Sequence, residues 1–253
     1  MLITDSFVML NYPKTGSSFA RKVIKDLYAR EPRRWFGGRY CKELILPNIR
    51  TGGVADQHGT YSQIPRRFRN REIVSIVRNP YERFLSIYEF RYWAHNPRLP
   101  LDDVRERFPT FPHLSLDEYV DFNHFWSQKA FHLPVGSQTA QFMQIFGRHF
   151  PPRWSDPWDL KSVLARLPQV TFLRQENLRS DLRSFLRRHG FSHQRTAFIE
   201  SHEPVNITLD KSADRDALWT SKALNYVSTT ESLLFQILAE HGICYSPPRS
   251  LAA

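Results

Sequence analysis

The sequence predicts an α/β fold in which a parallel sheet of about four or five strands is flanked by helices, and three observations predict it. Apolar runs of strand length, such as Phe7-Val8-Met9-Leu10 and Ile73-Val74-Ser75-Ile76-Val77, stand apart from stretches whose apolar residues recur at helical spacing. Strand and helix patterns alternate, an order that demands right-handed crossovers and gathers the connecting turns at one edge of the sheet. At 253 residues, with 41% apolar and 14% aromatic content, the chain can bury one sizeable core without disulfide staples. A single domain over residues 1–253 is the simplest organisation, since no repeat, low-complexity tract or clear linker interrupts it.

The first strand, near residues 6–11, runs into Asn11-Tyr12-Pro13-Lys14-Thr15-Gly16-Ser17-Ser18-Phe19, which sets a lysine, a glycine and three hydroxyls ahead of a helical pattern carried by Phe19, Val23 and Leu27. A helix starting near Gly16 would aim its unpaired N–H groups and positive dipole end at the crevice, where phosphate is the usual occupant. Gly16 lets the backbone approach closely, Ser17 and Ser18 add hydroxyl donors, and Lys14 supplies a mobile charge. A nucleotide triphosphatase loop reads G-x-x-x-x-G-K-[ST], whereas Lys14 precedes the only glycine here, so this is not a Walker loop. Read alone, the segment serves equally as an N-capped helix with a surface lysine.

A second strand is expected near 52–56, from the small and β-branched residues of Thr51 to Ala55, and it leads into Asp56-Gln57-His58-Gly59-Thr60-Tyr61. A third, near 72–77, ends at Arg78-Asn79-Pro80, with Pro80 suited to the first turn of the next helix. That helix is expected from about Tyr81 to Tyr92, with Phe84, Leu85, Tyr88 and Tyr92 inward. Arg78 is left at the carboxyl end of its strand, where a guanidinium can fork onto a phosphate, and Ser86 on the adjoining helix can donate a further bond. Arg78 as a salt-bridged cap is the plainer alternative.

From about 91 to 153 the composition shifts to Pro, His, Phe and Trp, which suggests loops and short helices; Ser115-x-x-Glu118 is a capping box for one of them. A last strand near 169–174 precedes a helix with Leu178, Leu182, Phe185 and Leu186 inside and Arg187-Arg188 in its final turn. A polar loop with Asn206, Thr208 and Lys211 then leads to a long helical pattern through Leu224, Val227, Leu234 and Leu238, ended by Gly242. His189 and His193 straddle Gly190, a helix C′ position, without the company a metal site needs.

With both motifs on the page, the chain resembles the sulfotransferases that use 3′-phosphoadenosine 5′-phosphosulfate (PAPS). Tyr12 to Phe19 looks like their 5′-phosphosulfate loop, which implies nucleotide contacts for Lys14, Thr15, Gly16, Ser17, Ser18 and Phe19. Val77-Arg78-Asn79-Pro80-Tyr81-Glu82-Arg83-Phe84-Leu85-Ser86-Ile87-Tyr88 looks like their 3′-phosphate motif, which implies Arg78 and Ser86 as its ligands. The wording is nearest the carbohydrate branch, of heparan 2-O-sulfotransferase type; Gln138-Thr139 and Phe172 to Leu178 with Asp181-Leu182 are similar to further segments of it. The resemblance implies a P-loop-NTPase-like three-layer sandwich, PAPS as donor without a metal, a saccharide hydroxyl as acceptor, and residues 91–153 as the acceptor-binding insertion. It also suggests that the loop at Asn206 and Thr208 closes over the nucleotide.

In-line sulfuryl transfer needs charge stabilisation at the leaving oxygen and a base on the acceptor. Lys14 fits the first role. His58 fits the second, because a histidine can accept a hydroxyl proton near neutral pH and would emerge at a carboxyl strand end, where ligands of open α/β sheets bind. Asp56 could orient that imidazole, act as the base itself, or serve as a turn residue. His95, His113, His124 and His132 read as solvated or capped residues.

The net charge of +10 suits a highly anionic donor and an acidic acceptor such as a polysaccharide. Arg33-Arg34-Trp35 and Arg66-Arg67-Phe68-Arg69 mix cations with rings, but no nucleic-acid-binding motif surrounds them. Cys41 and Cys244 give no disulfide framework, though one bridge is possible, and a reducing compartment is expected. No apolar run approaches the ~20 residues of a membrane span. A cytoplasmic enzyme is expected, with a catalytic domain of a Golgi enzyme as the alternative. The rival functions are a P-loop-like small-molecule kinase and a non-catalytic nucleotide- or polyanion-binding protein.

Overall fold

A computed structural model of the chain describes residues 1–30, 38–50, 52–130, 132–205 and 215–248. Arg33-Arg34-Trp35, Thr51 and the loop residues Asn206, Thr208 and Lys211 lie outside the described residues. The described residues form two compact units, one drawn from Met1–Arg78, Met143–Arg153 and Ala165–Ile207, the other from Asn79–Phe142, Trp154–Leu164 and Thr208–Ala253.

In the first unit, β1 (Leu2–Thr4), β2 (Phe7–Met9), β3 (Cys41–Glu43), β6 (Glu72–Val77) and β7 (Thr171–Arg174) make one sheet in the order β3-β1-β2-β6-β7. β2, β6 and β7 run parallel, while β1 is antiparallel to both β2 and β3. The sheet is therefore mostly parallel rather than wholly so. The turn that reverses the chain between β1 and β2 is held by Thr4, whose Oγ1 accepts from Phe7 N at 2.9 Å and donates to Phe7 O at 2.8 Å.

The strand expected near 52–56 forms but lies elsewhere. β5 (Gly53–Asp56) pairs only with β4 (Leu46–Asn48) in a separate two-stranded sheet. Gly53, Val54 and Ala55 are exposed, and such a segment lacks the apolar side chains that a parallel sheet buried on both faces requires. β6, by contrast, is buried at every residue after Glu72.

One face of the main sheet is covered by α1 (Ser17–Ala29) and α8 (Leu178–Arg188). Phe19, Val23, Ile24 and Leu27 of the first helix, with Leu182, Phe185 and Leu186 of the other, share a core with Phe7, Met9, Val74, Ile76 and Leu173. Arg187 and Arg188 occupy the last turn of α8 and Gly190 follows in the left-handed region, as its pattern predicts. α9 (His193–Thr196) completes this unit. Cys41 is a free thiol pushed up to about 11 by burial, and Cys244 is likewise free.

The second unit is helical: α2 (Pro80–Phe90), α3 (Tyr92–His95), α4 (Leu101–Arg107), α5 (Leu116–His124), the start of α6 (Ser137–Phe146), α7 (Leu160–Ala165) up to Leu164, α10 (Ser221–Thr230) and α11 (Ser232–Glu240). The capping box at Ser115 and Glu118 is present. α2 ends earlier than its periodicity suggests, because Arg91 takes a φ of 54°, so Tyr92 leaves the inward stripe and is 52% exposed. Trp93, Phe108, Phe111, Tyr119 and Phe122 pack with Phe84 in a core, which explains the aromatic content of the region without a ligand.

The long carboxyl-terminal helical pattern is two helices, broken at Glu231. That side chain is 2% exposed, and its carboxylate accepts from Gln138 N at 2.9 Å, Thr139 N at 2.8 Å and Thr139 Oγ1 at 2.7 Å. It caps the first turn of α6, while burial pushes its pKa up. Glu231→Ala would strand those three donors in the interior at about 1–3 kcal/mol each. A loss of roughly 3 kcal/mol or more is expected in urea unfolding of this variant, with Glu231→Gln losing less.

Candidate active site

The parallel register lines up three turns at the carboxyl ends of β2, β6 and β7. Met9 pairs with Val74, Leu10 N donates to Val74 O at 3.0 Å, and Val77 pairs with Arg174. Asn11 to Gly16 follow β2, Arg78 follows β6, and Gln175 follows β7.

The first turn is shaped by backbone hand. Lys14 has a φ of 65° and Gly16 of 82°, while Thr15 between them is not left-handed. Alternating hand curls successive N–H groups toward one point, the concavity that binds anions. Thr15 Oγ1 and Ser17 Oγ both donate to Tyr12 O, at 2.8 and 3.1 Å, and close the loop on itself. Those two hydroxyls therefore hold the turn's shape, whereas the half-buried Ser18 takes no part in this tie. Gly16 is the N-cap of α1, with no side-chain cap and no acidic residue in the first turn, so nothing on the helix itself quenches its positive end. A Cβ at Gly16 would lie 3.1 Å from Leu178 Cδ2 and 3.3 Å from Gln175 Cγ. Only glycine satisfies both that approach and the left-handed φ. Phe19 is 8% exposed in the core, with Arg179 over its ring at 5.0 Å and His202 edge-on at 5.5 Å.

His58 reaches the root of this turn without belonging to a strand of the main sheet. Its Nδ1 lies 3.0 Å from Asn11 O. A carbonyl only accepts, so Nδ1 carries the proton in the neutral ring and Nε2 keeps the lone pair. Burial pushes the imidazole below its usual pKa, against the opposing pull of the Asn11 bond and the Asp56 charge. Asp56 does not orient the imidazole: its Oδ1 accepts from the His58 backbone N at 2.6 Å and its Oδ2 from Asn48 Nδ2 at 2.6 Å. Of the roles open to Asp56, that geometry is the turn residue's.

Asn11 is the residue that sequence reasoning missed. It is 1% exposed, and its Nδ2 donates to Gln57 O at 3.0 Å, so backbone and side chain together fasten the His58 segment to the Lys14 loop. Its Oδ1 and Gln57 Oε1 are buried without a hydrogen-bond partner among the described residues, a condition that calls for an explanation. The available signal was a polar residue directly after a fully apolar strand.

Ser86 sits in the second turn of α2, 9% exposed, in the second unit. That helix starts as expected, with Pro80 in its first turn and Asn79 Oδ1 accepting from Tyr81 N at 3.1 Å. Among the described residues no group of three or more His, Cys, Asp or Glu is placed to hold a metal ion, and no helix is long and apolar enough to cross a membrane.

Comparison with known proteins gives one match. The model of a family described as the sulfotransferase family covers residues 2–133, more than half of the chain, and spans Lys14, His58, Arg78 and Ser86. No curated protein and no solved structure matches the chain.

Proposed function

This chain belongs to the sulfotransferase family, and we propose that it moves the sulfuryl group of PAPS in line to a hydroxyl on a carbohydrate, as the heparan 2-O-sulfotransferase-like branch does. The observation that carries the reading is the Lys14 turn: a loop of alternating hand, leading into an uncapped helix, beside the parallel strand that ends at Arg78. The same arrangement favours a P-loop-like three-layer architecture. In the mechanism, the N–H groups of the turn hold the phosphosulfate oxygens and Lys14 neutralises charge as the leaving oxygen departs. Arg78 binds the 3′-phosphate, with Ser86 assigned beside it by the motif's spacing alone. His58 takes the acceptor's proton on Nε2. Thr15 and Ser17 keep the loop in shape, and Phe19 anchors it from the core.

Calorimetry tests the donor. Adenosine 3′,5′-bisphosphate should bind at least about 10-fold tighter than ATP without magnesium, as expected when a bidentate arginine contact is present in one ligand and missing in the other. Arg78→Ala should erase that preference. Binding that is equal or favours ATP would instead support the kinase reading, for which the position of Lys14 gives no encouragement. Transfer of labelled sulfate to uronic-acid polysaccharides, neutral sugars, phenols and tyrosine peptides then identifies the acceptor; transfer to phenols alone would overturn the carbohydrate assignment.

A further inference from the structure

We propose that Asn11 is a positioning residue for sulfuryl transfer, setting the tautomer and the direction of the His58 imidazole against the Lys14 turn; the inference rests on the reading of His58 as the base. The chain on either side of Asn11 is fixed. Leu10 N donates to Val74 O at 3.0 Å and Leu10 O accepts from the buried Ser75 Oγ at 2.8 Å, which ties the preceding residue to β6. Tyr12 O accepts from Thr15 Oγ1 and Ser17 Oγ, which ties the following one into the turn. From this anchored place Asn11 reaches out twice, by its carbonyl to His58 Nδ1 and by its Nδ2 to Gln57 O, each at 3.0 Å. Bonds to two consecutive residues fix direction as well as distance, which is how a supporting shell holds a reacting group.

Gln57 O has a second donor, Met1 N at 2.8 Å, whose other bond goes to Leu44 O. Of the two donors to Gln57, Asn11 is thus the one whose residue also receives the imidazole. The side-chain type is the second observation. The charges of Asp56, Arg50 and the Met1 amino group already act on the imidazole, and a base that works as the neutral ring gains nothing from another carboxylate. Among side chains of this shape, leucine has no donor and ionised aspartate is a charged acceptor; asparagine donates without adding charge. It does so although its Oδ1, like Gln57 Oε1, is buried without a donor among the described residues, a condition that destabilises a fold. An amide kept there in spite of that is accounted for by what its N–H does for His58.

Asn11→Leu in the full-length chain separates positioning from folding. It removes the Gln57 bond together with a buried acceptor that lacks a donor, so the urea midpoint should hold or rise. Over the same change kcat should fall about 10- to 10²-fold, as when a reacting group is misplaced, with KM for PAPS and binding of adenosine 3′,5′-bisphosphate unchanged. Proton–nitrogen correlation NMR should show the single Nδ1-protonated tautomer of His58 giving way to a mixture. Asn11→Asp keeps the size, loses the donor once ionised and brings a negative charge that favours the imidazolium. It should slow transfer as well and move the acid limb of the rate to higher pH, and it carries the test if Asn11→Leu fails to fold. The NMR needs no turnover: a native chain that transfers no sulfate sinks the reading of His58 as base, and the tautomer in the variant then decides by itself whether Asn11 holds the ring. The proposal is overturned if Asn11→Leu keeps the native kcat, if His58 keeps its tautomer there, or if the acid limb of Asn11→Asp stays in place.

Discussion

His58→Ala is expected to slow sulfuryl transfer by about 10²–10⁴-fold, the worth of a positioned general base, while calorimetric binding of adenosine 3′,5′-bisphosphate stays unchanged. The base needs a free lone pair at working pH, and two features provide it. Donation from Nδ1 to Asn11 O leaves the lone pair on Nε2, and burial pushes the pKa below 6.5. The sign follows directly: the active form is the neutral one, so the rate should be flat from pH 7 upward and fall only on the acid side, with a midpoint below 6.5. Asp56→Asn separates the two neighbours. Its Oδ1 can still accept from His58 N, so the turn survives, and the loss of a carboxylate that raises the imidazole pKa should move the acid limb to still lower pH. A rate loss in Asp56→Asn as deep as that of His58→Ala would make Asp56 the base. Full activity in His58→Ala would remove the histidine from the mechanism.

The parts of this protein legible in the sequence are those specified by neighbours. The Lys14 turn, α1 behind Phe19, Val23 and Leu27, the capping box of Ser115 and Glu118, and α8 with its terminal arginines each follow from residues within a few positions of one another. What escaped has its cause far along the chain. β1 and β3 are three residues each and become strands only by pairing, Leu2 with Glu43 and Thr4 with Cys41. β5 has strand-forming residues but little to bury, so composition placed it in the wrong sheet. The break at Glu231 answers to α6, more than ninety residues earlier. The buried Arg83 likewise takes its partners from α6, so helical periodicity had no means of turning it inward.

The site divides in the same way. Lys14, Gly16 and Arg78 are legible as candidates because the anion site proposed for them needs a glycine turn, a helix start and cations at strand ends, all short-range patterns. Asn11 is silent because its contribution to His58 is a backbone carbonyl, which every residue owns. The expectation for His58 rests partly on a geometry that the structure does not have. The histidine lies beside the crevice because the Asn11 amide and carbonyl hold it there, although β5 contributes nothing to the main sheet.

Lys14→Gly is expected to cost about 10²–10³-fold in transfer rate, the loss typical when one preorganised contact to a developing anion is removed, without a matching cost in stability. The lysine holds a φ of 65°. For a residue with a Cβ that region costs roughly 1–2 kcal/mol, and glycine escapes this while forfeiting about 0.5–1 kcal/mol of unfolded-state entropy. The two nearly cancel, so the unfolding midpoint should move little and the fold cannot be blamed for the lost activity. A protein keeping a non-glycine residue in that conformation pays strain for what the side chain does, which is the expected pattern at functional sites. Lys14→Arg sharpens the point. It retains both the charge and the strain, so a leaving-oxygen role predicts partial recovery of rate. If Lys14→Gly and Lys14→Arg were equally inactive while nucleotide binding persisted in both, the position would demand an ammonium's compact charge and not charge alone. If Lys14→Gly transferred sulfate at the native rate, the role at the leaving oxygen would pass to the N–H groups of the turn.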